Sequence, residues 1–220
     1  MSSLQPLLAR RVGALLVGLF LYGIAIAMMV QAGIGVAPWD VLTQGIARHT
    51  GLSFGLLTNI IGVGVLLLWI PIRQRPGIGT LLNVLLIGPS AALGLAVIPP
   101  QHDLILQVAL FAGGLALLAV ASGLYIGARL GPGPRDGLMT GLHARTGWKI
   151  WIVRTGIEGT VLLVGWMLGG NIGVGTLAFA VLIGPLVNIT MPLLRIPVPV
   201  IVPERPSLAS LLAPEAAPVE

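Results

Sequence analysis

Gly35-Val36-Ala37-Pro38-Trp39-Asp40 reads as the approach to a helix, and the chain writes it again as Gly131-Pro132-Gly133-Pro134-Arg135-Asp136. Without a gap, the same offset pairs Gly45 with Gly141 and Thr50-Gly51 with Thr146-Gly147. It runs on through Gly77-Ile78-Gly79-Thr80-Leu81 against Gly173-Val174-Gly175-Thr176-Leu177, and through Ile87-Gly88-Pro89 against Ile183-Gly184-Pro185. About a third of the positions from Gly35 to Pro89 match their partners, far above chance for an ungapped alignment. The chain is read as a duplication.

Around these motifs the sequence is apolar. Of 220 residues, 56% are hydrophobic and 9% charged, and the mean hydropathy is +1.00. A soluble domain carries about a quarter charged residues, because its surface faces water. Here the charge is too sparse for that, which predicts an all-α integral membrane protein. Apolar stretches of spanning length run over Val12–Val30, Phe54–Ile72, Ile78–Ile98, Leu104–Ala128, Ile150–Leu168 and Ile172–Leu194. Each is about 19 to 25 residues, enough to cross a ~30 Å hydrocarbon core as helix. Two shorter pieces, Pro38–Thr50 and Pro134–Thr146, follow Gly/Pro-rich loops and are read as broken or re-entrant helices. The expected organisation is a cytoplasmic N-terminus over 1–11, one membrane repeat over 12–98 and a second over 104–194. A Pro-, Ala- and Glu-rich tail over 195–220 is expected to be disordered and cytoplasmic.

Arg10 and Arg11 before an apolar stretch resemble the start of a signal peptide, with Ala25-Ile26-Ala27 as a passable cleavage site. The mid-chain counterpart of this segment cannot be one, so a retained span is expected. With six spans, each half crosses three times, and an odd count inserts the second half upside down relative to the first. Counting positive charges agrees. An N-terminus in the cytoplasm puts Arg10, Arg11, Arg73, Arg75, Arg129, Arg135, Arg145, Lys149, Arg195 and Arg205 on that side, against Arg48 alone on the other. The expectation is two inverted three-helix repeats in a bacterial inner membrane, both termini cytoplasmic. The net charge of +5 is thereby read as topology and not as a nucleic-acid surface.

Chemistry has few places to sit. Pro38 and Pro134 each stand at the first position of a helix, where a missing N–H costs nothing, behind Gly35 and Gly133. The free N–H groups of such helix starts make a partial positive charge, and in inverted repeats two of them can meet near the midplane to form a site. Asp40 and Asp136 fall in those first turns. The plainer account is that they cap the N–H groups there. Arg154 and Glu158, four apart on one face of the fifth span, have Thr58 and Gly62 as their counterparts in the other half, so this charge belongs to one repeat only. Charge within a span is costly and marks function by default. Against that stands a structural pair near the cytoplasmic end, with Arg154 snorkelling to headgroups.

Cysteine is absent, which leaves no thiol chemistry and no thiolate ligands. His49, His102 and His143 lack the spacing of a zinc site, and no nucleophile–base set stands out. Gly123/Gly127 and Gly165/Gly169 read as close helix packing. Asn59, Asn83, Asn188 and Thr190 suit either a lined path or interhelical hydrogen bonds. No cofactor and no metal is expected.

With Gly-Pro-Arg-Asp-Gly-Leu-Met at 133 to 139, Pro-Trp-Asp at 38 to 40, and the paired Gly-x-Gly-Thr and Ile-Gly-Pro elements, the chain resembles the YczE-like membrane proteins of the YczE/YyaS/YitT group. The likeness covers Arg10 to about Arg195. It implies a bacterial cytoplasmic-membrane protein of a group in which transport is suspected, and it carries over no catalytic residues. The soluble C-terminal domain of YitT-type relatives has no counterpart here.

The reading is a small-solute secondary transporter, with Asp40 and Asp136 at broken-helix starts and Arg135, Arg154 and Glu158 supplying charge for an anionic or polar solute. A non-transporting scaffold or sensor partner is the alternative, and a membrane-embedded enzyme a weaker one. No enzyme activity is expected; the lipid bilayer is the certain partner, and the oligomeric state is open.

Overall fold

Proline cannot sit inside a helix without removing a hydrogen bond, but it can begin one, and both short helices begin on proline. In the computed structural model, which describes residues 4–197, the chain forms α1 (Leu4–Ala32), α2 (Pro38–Thr50), α3 (Phe54–Leu67), α4 (Trp69–Ile72) and α5 (Ile78–Val97), followed by α6 (Leu104–Gly127), α7 (Pro134–Thr146), α8 (Ile150–Met167) and α9 (Val174–Leu194). No strand occurs among the described residues. Six segments are long and apolar enough to cross a membrane: α1, α3 with α4, α5, α6, α8 and α9. Their outer faces carry exposed Leu8, Leu85, Ile105, Val174 and Leu193, a covering suited to lipid and not to water. This is a multi-pass membrane protein.

Several helix ends differ from expectation by a residue or two, and three departures have a visible cause. α1 starts at Leu4, eight residues ahead of Val12, so Arg10 and Arg11 are helical. The reason is a docking contact: Arg11 Nε and Nη2 donate to the Ala128 and Arg129 carbonyls, each at 2.8 Å, where α6 ends with orphan acceptors. The second span breaks at Leu68, because Pro71 has no N–H to offer the Leu67 carbonyl. α9 begins at Val174, not Ile172, since Gly173 turns the chain and its N–H donates to Thr176 Oγ1 at 3.3 Å. The expected tail falls outside the described residues apart from 195–197.

The sequence offset reappears in the backbone. α2 and α7 are 13 residues each and occupy equivalent positions. Every described residue with positive φ has its counterpart: Gly33 with Arg129, Gly35 with Gly131, Gly51 with Gly147, and Arg73 with Gly169. Contacts between the halves are reciprocal as well. The Gly79 N–H donates to the Leu130 carbonyl at 2.9 Å, and its counterpart Gly175 donates to Ile34 at 2.8 Å. A Cβ on Gly35 would lie 2.6 Å from the Gly173 nitrogen, while one on Gly131 would lie 3.0 Å from Gly77 Cα. Glycine is required at both.

Helix directions follow from which residues meet. Gly18 lies against Ala121 and Tyr125, and Gly114 against Met28 and Met29, so α1 and α6 run antiparallel through the centre. α5 runs with α1, as Gly23 meets Ile87 and Gly94 meets Ala27. α9 runs with α6, as Gly123 meets Thr190 and Gly127 meets Leu194. Leu19, Ile26, Met29, Leu115, Leu118, Ala91 and Ile183 knit these four helices into one core. At one end sit Arg11, Arg129 and, through an Arg145 bond to the Ile72 carbonyl at 3.1 Å, the chain leading to Arg73. Arg48 stands at the other end, beside Gly169.

Candidate functional site

α2 and α7 approach the centre from opposite ends, each with its N-terminus innermost. Both are held by close packing. Gly45 of α2 rests on Leu168, and its counterpart Gly141 of α7 rests on Ile72. Where the halves differ in bulk they compensate: Trp69 fills the space beside Gly137, whereas its counterpart Gly165 lets Val41 and Leu42 come close. Trp69 also donates its indole N–H to the Pro134 carbonyl at 3.0 Å, which fixes the start of α7.

Between the two helix starts lies a cavity of about 280 Å³. Asp40, Asp136, Arg135, Arg154 and Glu158 all line it, as do Pro38, Gly133 and Pro134. Gly35 does not; it packs at the junction with α9. Much of the lining falls into equivalent pairs, among them Tyr22 with Leu118, Ile26 with Ser122, and Asn83 with Phe179. Two equivalent positions even touch. The Arg135 guanidinium carbon stands 5.0 Å from the centroid of the Trp39 ring, within cation–π range.

The capping positions are Ala37 and Gly133, which have no side-chain acceptor, and neither aspartate is hydrogen-bonded to its own helix among the described residues. Asp136 Oδ2 instead accepts the Tyr125 hydroxyl at 2.6 Å, a short bond of the charge-assisted kind. Asp40 is 1% exposed, and its Oδ1, like the neighbouring Trp39 Nε1, is buried with no hydrogen-bond partner among the described residues. Arg154 Nε meets Glu158 Oε1 at 3.1 Å. Their side chains are 46% and 23% exposed, so the pair forms the rim of the cavity and not its floor. Arg135 has no carboxylate within ion-pair distance among the described residues.

Of the polar residues singled out within spans, Asn83 and Asn188 line the cavity. Thr190 and Asn59 serve the helices instead. Thr190 Oγ1 donates to Ala119 at 2.7 Å, and Asn59 Nδ2 reaches the Leu85 carbonyl at 3.5 Å, the acceptor that Pro89 leaves free one turn on. His49, His102 and His143 are all exposed at helix ends or loops. Tyr22 and Tyr125, edge to face with centroids 5.9 Å apart, escaped the sequence reading. A signal existed: these are the chain's two tyrosines, both set in apolar spans, and a buried hydroxyl needs a partner.

The profile of a family of unknown function, DUF6198, matches residues 9–192. The chain belongs to that family. Among its relatives is an uncharacterized protein of Haemophilus influenzae, 36% identical over 187 residues, covering 85% of this chain and 86% of that one. The uncharacterized membrane protein YczE of Bacillus subtilis is 34% identical over 179 residues, with 80% and 82% covered. YyaS of the same organism is 26% identical over 183 residues, with 81% and 91% covered. The resemblance to YczE-like membrane proteins is thereby established. No solved structure matches.

Proposed function

We propose that the chain is a secondary transporter of a small anionic or polar solute, a carrier and not an enzyme, built as two inverted repeats. The observation that carries this reading is the central cavity. It brings five ionisable side chains from α2, α7 and α8 to one place inside a bundle of apolar spans. Charge so placed is expensive and is retained where it does work. A scaffold would be better served by a dry core.

The inverted arrangement is supported by the opposed directions of α1 and α6 and by the reciprocal contacts of Gly79 and Gly175. Each half then crosses the bilayer three times. Positive charge gathers at the end carrying Arg11, Arg129 and Arg145, which on the positive-inside rule faces the cytoplasm of the inner membrane, with both termini there. Within the site, Arg135 is the cation with no ion-pair partner among the described residues, and the N–H groups at the starts of α2 and α7 add to it. An acidic group on the solute fits between them. Rocking of one half against the other would expose the cavity alternately.

The test is uptake into proteoliposomes, screened over small carboxylates, phosphates and uncharged polar metabolites. At least one should accumulate, and Arg135→Gln should lower uptake of an anion by about tenfold or more, in line with the loss of a charge-assisted contact. No uptake across the panel, or full uptake by Arg135→Gln, would sink the reading. Cysteines placed at Arg73 and Arg129 should both label from the cytoplasmic side.

A further inference from the structure

Three carboxyl groups line the cavity, and their surroundings are not alike. Glu158 faces a guanidinium at 3.1 Å. Asp136 takes a hydroxyl proton donor at 2.6 Å. Each of these two carboxyl groups therefore has a partner, one a cation and the other a hydroxyl donor. Asp40 has neither. Its Oδ1 is enclosed by protein and unpartnered, the side chain is 1% exposed, and no cap bond joins it to its own helix. The position that in the second half is Tyr125 is Met29 in the first, a side chain with no proton to give.

The helix starts do not explain the difference, because Asp40 and Asp136 each sit in the first turn of a helix and share that partial charge. Nor do the neighbouring charges supply a partner. From α7 come Arg135, stacked on Trp39, and Asp136; from α8 come Arg154 and Glu158, bonded to each other; from α1 and α6 come the Tyr22 and Tyr125 hydroxyls. A carboxylate with one oxygen enclosed and no donor to either is costly, and the cheapest relief is a proton. We propose that Asp40 is the proton-binding site of the cavity, loading and releasing one proton as the cavity closes and opens. Resting on the carrier reading, this makes the solute's movement proton-coupled.

Infrared difference spectroscopy on the full-length protein in liposomes, with no solute added, reads the proton directly. Between acid and neutral buffer the wild-type protein should lose the C=O stretch of a buried protonated carboxylic acid. Asp40→Asn should abolish that step; Asp136→Asn and Glu158→Gln should retain it. Should Asp40→Asn fail to fold, Asp40→Glu must keep the step at a shifted frequency. No step in the wild type, a step surviving in Asp40→Asn, an unshifted band in Asp40→Glu, or loss of the step in Asp136→Asn or Glu158→Gln would overturn the assignment. Because no transport is measured, a protein that moves no solute but keeps the Asp40 band rejects the carrier and leaves the proton site standing.

Discussion

The first half of the molecule is closed where the second is open. α3 lies against α5, with Gly55 tight on the Gly88 carbonyl and on Ala92. In the second half the equivalent helices, α8 and α9, barely touch. Gly55 has become Trp151, an exposed indole, and Asn59, which braces the proline-freed carbonyl of α5, has become Thr155. Gly88 is pressed by Asn59 and Gly55, whereas its counterpart Gly184 has open space around it and lines the cavity. Two segments at equivalent positions thus take different packings, and Gly184, Arg154 and Glu158 line the cavity where α8 and α9 stand apart. What the difference teaches is that small residues, and not the apolar pattern, decide which pair of helices shuts.

That contrast can be broken by experiment. Gly88→Leu should cause the largest loss, because even one added carbon collides with the Gly55 backbone; little folded protein should survive, read by size-exclusion chromatography in detergent. Cysteine pairs come next and exploit the lack of native cysteine. A Cβ at Gly55 would stand 2.9 Å from that of Ala92, so small shifts bring Gly55→Cys and Ala92→Cys into disulfide geometry. An oxidant should link that pair and leave the equivalent pair, Trp151→Cys with Asn188→Cys, unlinked. Equal linking of both would erase the asymmetry. Tyr125→Phe removes the donor held by Asp136 and should cost about 1.5–3 kcal/mol of thermal stability, while Tyr22→Phe, which breaks no hydrogen bond among the described residues, should cost less. Smallest of all, Gly184→Ala should change stability by no more than about 1 kcal/mol, and in the favourable direction, since it meets nothing and improves helix propensity.

Much of this architecture was legible in the residues. The bounds of α2 and α7 follow from proline at one end and glycine at the other, and both agree with the structure to the residue. That the charge of Arg154 and Glu158 belongs to one half alone was already visible in Thr58 and Gly62. The partnership of Tyr125 with Asp136 was not legible, because it depends on how the end of α6 folds back over the start of α7. Periodicity fixes which face of a helix a residue occupies and says nothing about what comes to meet it. The break at Leu68 could have been read from Pro71, which the uninterrupted apolar run concealed.

Trp39 and Arg135 meet at equivalent places on the two halves. In a symmetric pair of separate three-span chains that spot would hold the same residue twice, and two guanidiniums pressed together would repel. Where the two positions are independent residues, one can be an aromatic plate and the other the cation resting on it. The contact is therefore one that a pair of identical chains could not encode.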